Sequence, residues 1–231
     1  MVEMAGWKAL MAEGLGTFGV VLVAAGACAV NDYTMGGIGA TGVAVSYGLA
    51  LAVLTYVTAH LSGAHLNPAI TVSQWITGKM KGGSAVYYVL AQLLGASVAA
   101  TALWLILPVS PFTATLGAPS LGEGIGFMQA ILGEALFTFI VAFTVFGVVL
   151  DKRGLTPLSG FAIGLSVTAG ALVLGPLTGG ALNPALAFGP ALVSGKFADH
   201  LVYWAGPILG AAVAGLVYDS AFLKAAKKGR K

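Results

Sequence analysis

Charged residues are scarce in this chain of 231 residues, since only eight are acidic and eleven are lysine or arginine. They make up 8% of the sequence, whereas soluble domains contain about 25% charged residues. Hydrophobic residues make up 58%. This composition excludes an ordinary soluble protein and indicates an integral membrane protein. The single cysteine, Cys28, excludes an intrachain disulfide.

Residue sets typical of catalysis or metal binding are also missing. The histidines His60 and His65 have no Cys, His or carboxylate neighbours at the spacing expected of a metal site. The sequence shows no nucleophile paired with a base, no phosphate-binding loop and no redox pair. We therefore expect no metal, no cofactor and no enzymatic activity.

Six apolar runs are long enough to cross a hydrocarbon core of about 30 Å as helices. They cover approximately residues 9–30, 41–61, 85–107, 126–150, 157–175 and 201–221. An even number of spans places both termini on one side, together with all the basic residues except Lys196. The positive-inside rule therefore predicts cytoplasmic termini in the cell membrane. The basic cytoplasmic tail, residues 222–231, fits this topology and does not require nucleic acid as a partner.

One tripeptide occurs twice, as Asn67-Pro68-Ala69 and as Asn183-Pro184-Ala185, each time before an apolar segment too short to span. In both copies Asn fits the N-cap position and Pro fits the first helical position. The segments 68–77 and 184–194 would each reach roughly 15 to 17 Å as helices. The sequence thus predicts two half-helices that together match the thickness of the hydrocarbon core.

An internal repeat covers almost the whole chain. Residues 9–107 correspond to residues 126–221, and the external loop 108–125 joins the two halves. Each half contains three spans, so the second half enters the membrane in the opposite direction and the repeats are inverted. The N-termini of the half-helices can then meet at mid-membrane. We predict an all-α membrane protein, a single domain over residues 1–231, with six transmembrane helices and two half-helices.

The paired tripeptides in this inverted repeat, with Ser62-Gly63-Ala64-His65-Leu66 before the first copy, resemble the aquaporins of the major intrinsic protein family. The resemblance covers all six spans and both half-helices. It implies a homotetramer in the lipid bilayer whose subunits each conduct water and small uncharged solutes, such as glycerol-like molecules or gases. Two alternatives stay open, a proton-coupled or other secondary transporter and a structural membrane protein with a closed pore.

The two stretches that lead into the half-helices, Gly63–Leu66 and Gly179–Leu182, must be buried or line a water-filled cavity, because lipid cannot satisfy irregular backbone. We expect them to run as extended strands, with Asn67 and Asn183 pointing amide donors into the lumen at the pore centre. The resemblance implies that the carbonyls of one set of residues face the path: Gly63, Ala64, His65, Gly179, Gly180 and Ala181.

The outer filter departs from the family pattern. Most aquaporins carry Arg directly after the second Asn-Pro-Ala, where this chain has Leu186. The resemblance assigns the other three filter positions to Tyr47, Ala171 and Gly180. One aromatic, two very small residues and one aliphatic predict a ring with few side-chain donors and a wider bore than in a strict water channel.

Charge at the pore centre predicts that cations and protons are opposed there. Each half-helix brings about +0.5 charge to the centre, and the two together oppose a cation about 5 Å away by about 3 kcal/mol at an effective dielectric near 20. A filter Arg would add roughly the same amount. Its absence therefore weakens the filter without removing the central barrier.

Glu13 and Glu134 are ionisable groups inside spans, at equivalent points of the repeat. Such groups are functional candidates, and a proton-coupled transporter is one interpretation. Their equivalence favours a structural role, in which they support the backbone that carries the half-helices. The aromatic residues at the equivalent span starts are expected to anchor at the membrane interface: Tyr87, Tyr88, Tyr203 and Trp204.

Overall fold

The computed structural model describes residues 6–154 and 156–224, and these residues form helices joined by turns and loops. The eight α-helices are α1 (Trp7–Tyr33), α2 (Gly39–Ser62), α3 (Pro68–Ile76), α4 (Gly82–Ile106), α5 (Phe127–Val145), α6 (Ser159–Thr178), α7 (Pro184–Ser194) and α8 (Val202–Tyr218). A π-helical turn extends α5 over Phe146–Leu150 and α8 over Asp219–Lys224. The predicted basic tail falls largely on residues 225–231, which lie outside the described residues.

Six of the helices within the described ranges are long and apolar enough to cross a membrane: α1, α2, α4, α6, and α5 and α8 with their π-helical turns. The predicted all-α membrane fold is confirmed, and the protein is a multi-pass membrane protein. The predicted fifth span, approximately residues 157–175, corresponds to α6, which continues through Pro176 to Thr178. Pro176 removes one intrahelical hydrogen bond there, and the packing of the surrounding helices outweighs that loss.

Small residues let the long helices approach closely. Gly48 of α2 and Gly164 of α6 face each other so tightly that a Cβ on either would collide with the carbonyl oxygen of the other. Gly95 of α4 meets the carbonyl of Gly14 in α1, and Gly210 of α8 meets that of Ala135 in α5 in the same way. Each helix pair therefore brings backbone against backbone, as small residues allow in membrane helix bundles.

The half-helices α3 and α7 exchange partners between the two halves of the chain. α3 packs chiefly against α8, and α7 packs chiefly against α4. The hydroxyl of Ser73 in α3 donates to the carbonyl of Ala211 in α8 at 2.6 Å, and a Cβ on Gly189 of α7 would collide with the carbonyl of Ala96 in α4. Each half-helix is thus held by the third span of the opposite half.

Candidate pore and outer filter

The two Asn-Pro-Ala tripeptides meet where α3 and α7 begin. Oδ1 of Asn67 accepts from the N–H of Ala69 at 2.8 Å, and Oδ1 of Asn183 accepts from that of Ala185 at 3.0 Å. Pro occupies the first helical position in both copies, where its missing donor costs nothing. The pattern therefore produces two capped helix starts that point at each other.

The same asparagines also tie the two halves together. Nδ2 of Asn67 donates to the carbonyl of Leu182, and Nδ2 of Asn183 donates to the carbonyl of Leu66, both at 2.9 Å. An amide nitrogen carries two donors, so one N–H of each asparagine is used between the halves. That Asn67 and Asn183 point amide donors into the lumen stays a prediction for the second N–H of each.

The backbone that leads into each half-helix is not an extended strand, and that expectation is wrong. Ala64 and Leu66 have φ values of 51° and 48°, and Gly180 and Leu182 have values of 58° and 54°, all in the left-handed region. A non-glycine residue held there costs roughly 1–3 kcal/mol. In each segment left-handed residues change the direction of the chain, and surrounding groups must stabilise this backbone conformation.

Glu13 holds the first of these segments. Its carboxylate, fully buried, accepts from the backbone N–H of His65 at 2.9 Å and from that of Leu66 at 2.7 Å. Ser62 Oγ and Gln92 Nε2 donate to it at 2.6 and 2.7 Å. A buried carboxylate is tolerated when donors satisfy its oxygens. Here the carboxylate in turn holds the strained backbone of Leu66.

Glu134 holds the second segment with fewer partners. It accepts from the backbone N–H of Ala181 at 3.0 Å and from that of Leu182 at 2.7 Å, and from Oγ1 of Thr178 at 2.7 Å. No described residue supplies a donor equivalent to Gln92, because Pro207 stands at that point of the repeat. The two carboxylates therefore fix the same backbone geometry with different surroundings.

The carbonyls along the two segments differ in how many are available. Among the described residues, none donates to the carbonyls of Gly63, Ala64 and His65. In the second segment the carbonyls of Gly179 and Gly180 are likewise without a donor from the described residues. The next one, of Ala181, accepts from the hydroxyl of Tyr47 at 2.9 Å.

The four sequence-predicted filter residues, Tyr47, Ala171, Gly180 and Leu186, lie together on the wall of one cavity of about 420 Å³. Tyr47, Ala171 and Leu186 are all less than 9% exposed. A Cβ on Gly180 would lie 3.2 Å from Cα of Ala171, so these two small residues adjoin. The ring contains one hydroxyl, and that hydroxyl is bonded to Ala181.

The loop that joins the two halves also reaches this cavity, which the sequence did not indicate. Residues 117–122 form part of its wall, and the N–H of Gly122 donates to the carbonyl of Leu177 at 2.8 Å. Cys28, Asn31 and Asp32 of α1 line the same cavity. The joining loop is therefore part of the cavity wall.

This arrangement of two opposed half-helices has a known counterpart. The family profile described as Major intrinsic protein matches residues 1–218. The chain belongs to this family.

Several named relatives show how broad the similarity is. Aquaporin TIP4-4 of Zea mays is 39% identical over 227 residues, which cover 94% of this chain and 87% of the relative. Aquaporin-4 of Mus musculus is 36% identical over 223 residues, covering 94% of this chain and 68% of the relative. The solved aquaglyceroporin of Plasmodium falciparum superposes with a TM-score of 0.83 at 27% identity, covering 95% of this chain and 98% of that one.

Two tyrosines of this major intrinsic protein hold the helix ends that precede the two segments. The hydroxyl of Tyr88 donates to the carbonyl of Ser62, and that of Tyr203 donates to the carbonyl of Thr178, both at 2.9 Å. Both side chains are buried, so the expectation that they anchor at the membrane interface is wrong. Their equal spacing in the repeat was the signal that identified them, and the structure assigns them an internal role.

Where α5 and α8 end, two ion pairs hold the turns that follow these helices. Arg153 donates through Nε and Nη2 to both carboxylate oxygens of Asp151 at 2.8 and 2.6 Å, and these bonds hold the pKa of that carboxyl below its usual range. Lys79, just after α3, pairs with Asp219 at 2.6 Å. Within the described ranges no group of three or more His, Cys, Asp or Glu is placed to hold a metal.

Proposed function

We propose that this protein is a passive channel for water and small uncharged solutes, driven by osmotic or concentration gradients. The observation that carries the proposal is the reciprocal pairing of Asn67 with Leu182 and of Asn183 with Leu66. It brings two half-helix starts together in the interior of the bundle. Free carbonyls lead toward that point from both sides, as a file of exchanging water molecules requires.

Cations and protons are opposed at the pore centre formed by Asn67-Pro68-Ala69 and Asn183-Pro184-Ala185. Both helices present their positive ends there, which together oppose a cation by about 3 kcal/mol at about 5 Å and an effective dielectric near 20. The loss of the ion's hydration adds several kcal/mol. This barrier does not depend on the filter, so it persists without a filter Arg.

The outer filter sets which neutral solutes pass. Four residues line this part of the cavity, and only Tyr47 has a polar side chain: Tyr47, Ala171, Gly180 and Leu186. This ring supports passage of molecules larger than water, such as glycerol-like solutes and gases. The proposal is a permissive channel and not a strict water channel.

A proton-coupled transporter is the alternative, since it would use Glu13 and Glu134. Both carboxylates accept hydrogen bonds from the strained backbone that leads into the half-helices. That geometry supports a scaffold role for them, in which they carry no proton through the membrane. We also propose that the protein has no enzymatic activity, since its relatives are channels.

The channel is proposed to lie in the cell membrane with both termini in the cytoplasm, on the basis of the basic residues at its inner face. It is proposed to act as a homotetramer, with one pore in each subunit. The large apolar side chains exposed on its helices, including Leu49, Val53 and Leu165, require lipid or other subunits around them.

Stopped-flow shrinkage and reswelling of proteoliposomes test the proposal. The wild type, the variant Leu186→Arg and a control Leu201→Arg are compared with empty vesicles under impermeant-solute and glycerol gradients. Leu201 is exposed next to α8 and lies outside the cavity wall. Its replacement by Arg therefore adds the same charge without changing the filter.

We expect fast water flow in all three proteins, with glycerol influx reduced only by Leu186→Arg. Water flow no faster than in empty vesicles would overturn the channel proposal. Negligible influx of every solute larger than water would overturn the permissive filter alone.

A further inference from the structure

The cavity that contains the filter residues carries side-chain charge of one sign. Asp32 is the only charged residue on its wall, and no described residue pairs with its carboxylate or donates a hydrogen bond to it. The filter position where the family pattern places Arg is Leu186 in this chain. The cavity therefore holds an acidic group that no basic side chain on the wall neutralises.

Helix ends add to the negative potential of this cavity. α1 and α6 both finish at the wall, where Asp32 and Gly175 lie, and α2 begins there, with Ala40 on the wall. A helix carries about −0.5 charge at its C-terminus and about +0.5 at its N-terminus, so two negative ends outweigh one positive end. Gly179 and Gly180, whose carbonyls accept from no described residue, line the same wall. Clefts lined by one sign of charge concentrate ions of the opposite sign.

The size and the apolar surface of the cavity restrict which cation fits. The cavity has a volume of about 420 Å³, within the range of small-molecule sites, and Val43, Leu121 and Leu186 contribute apolar side chains to its wall. A guanidinium ion is planar, is more weakly hydrated than an ammonium ion, and donates two parallel hydrogen bonds to a carboxylate. Its flat faces can lie against apolar side chains while its edges donate to the carboxylate and the carbonyls.

We propose that this cavity binds a small guanidinium ion, anchored by the carboxylate of Asp32, and that the bound ion blocks the channel at its filter end. A guanidinium ion offers only donors, so no oxygen of the ligand is left without a partner in the cavity. The ion stops there because the two half-helix starts oppose cations further along the path. The block of permeation rests on the proposed channel function, whereas binding in the cavity does not depend on it.

The first test measures water flow into and out of proteoliposomes by stopped-flow light scattering, with methylguanidinium chloride on both sides of the membrane. N-methylurea, a neutral molecule of nearly the same shape, controls for shape, and sodium chloride controls for ionic strength. We expect methylguanidinium to reduce water flow in a saturable manner and the two controls to leave it unchanged. Water flow that is the same in methylguanidinium and in sodium chloride would overturn the proposal, and so would an equal block by N-methylurea.

Two matched variants test the anchor. Asp32→Asn removes the charge and keeps the shape of the side chain, so the half-blocking concentration of methylguanidinium should rise about tenfold, the size of one charge-assisted hydrogen bond. Asp199→Asn is the control, because Asp199 is exposed, lies outside the cavity wall and has a φ of 51°, a conformation that Asn also adopts. We expect no change in the control. An unchanged half-blocking concentration in Asp32→Asn, or the same rise in both variants, would show that Asp32 is not the anchor.

Cys28 allows a second measurement inside the same cavity. It is the only cysteine of the chain, lines the wall, and lies about one helical turn before Asp32 on the same face of α1. Labelling rates with a cationic methanethiosulfonate (ethylammonium) and an anionic one (ethylsulfonate) are each divided by the rate with a free thiol in solution. We expect the cationic reagent to be favoured by about tenfold in the wild type, as in a cleft of one sign. This preference should fall in Asp32→Asn, and methylguanidinium should slow labelling by both reagents.

The labelling experiment needs no permeation, so the inference and the channel proposal fail separately. Wild-type water flow equal to that of empty vesicles refutes the channel, while protection of Cys28 by methylguanidinium would still support the cation site. Equal relative rates of the two reagents, labelling that methylguanidinium does not slow, or no labelling at all would refute the cation site and leave the channel standing.

Discussion

The first and second halves of the repeat hold the same backbone path with different side chains. Around Glu13 the chain places His65, Thr71 and Gln92, whose polar atoms bond to one another and to the carboxylate. The equivalent positions around Glu134 carry Ala181, Ala187 and Pro207. The inverted repeat thus conserves a geometry, while the polarity around it differs between the two sides.

This difference shows which contacts the fold requires and which it can vary. Both halves keep a carboxylate on two consecutive backbone N–H groups and a tyrosine on the carbonyl at the end of the preceding helix. Only the first half adds a connected polar network. In the second half, the hydroxyl of Tyr47 in α2 donates instead to the carbonyl of Ala181.

The largest expected effect comes from removing the charge of Glu134. In Glu134→Gln the new amide nitrogen faces backbone N–H groups, so at least one buried donor loses its acceptor, at a cost of roughly 1–3 kcal/mol. We expect the free energy of unfolding in detergent to fall by about that amount, with a parallel loss of water permeability per protein.

The matched variant Glu13→Gln should be milder by about 1 kcal/mol, because the first half of the repeat offers an acceptor to the new amide. Oε1 of Gln92 is buried without a partner among the described residues, and a flip of that side chain would turn it toward position 13. Equal destabilisation by the two variants would show that the polar network around Glu13 does not compensate for the lost carboxylate.

The asparagines at the pore centre should behave alike, since each makes the same cap and the same bond to the opposite half. Asn67→Ala and Asn183→Ala each remove an N-cap and leave a leucine carbonyl of the opposite half without its donor. We expect each to lower the free energy of unfolding by about 2 kcal/mol. Denaturant unfolding of the two variants checks this, and a clear difference between them would mean that the centre is less symmetric than its contacts.

The smallest effect is expected at the ends of α5 and α8, which finish in similar π-helical turns held by different ion pairs. Arg153 lowers the pKa of Asp151 below its ordinary value of 3.8. Because the pKa is lower in the folded protein, this carboxylate stabilises the fold at every pH above its ordinary pKa. The stabilisation is lost as the pH falls through the lowered pKa. The thermal midpoint of Asp151→Asn should therefore lie below that of the wild type by a constant amount from about pH 5 to 8, and the gap should close in stronger acid.

A scan of both proteins across this pH range, with Asp219→Asn as the counterpart at the end of α8, completes the comparison. A gap for Asp151→Asn that narrows already near neutral pH would contradict the assignment to this carboxylate.

Much of the fold could be predicted because hydrophobic length and helix caps are local signals. The six runs and the two Asn-Pro starts fixed the helices to within a few residues. The alternating left-handed backbone at Ala64 and Leu66 could not be predicted, because it depends on a carboxylate more than fifty positions away in the chain. The same is true of the bond between Tyr47 and Ala181, which joins two halves that only the folded bundle brings together.

The predicted filter residues do share one cavity wall, but their part in permeation stays a prediction. Sequence reasoning missed the supporting residues Thr71, Gln92 and Thr178, which carry no motif of their own. Their signal is present only as polar residues inside otherwise apolar runs, and such residues in a membrane span require a partner.

The crossed bonds at the pore centre have a consequence for biogenesis. Asn67 donates to a carbonyl 115 residues later in the chain, and the half-helix that it begins packs chiefly against the last span. When the first half leaves the ribosome, neither partner has yet been synthesised. The first half-helix can therefore reach its final position only after the last span has been inserted, so the pore forms in one late step and not half by half.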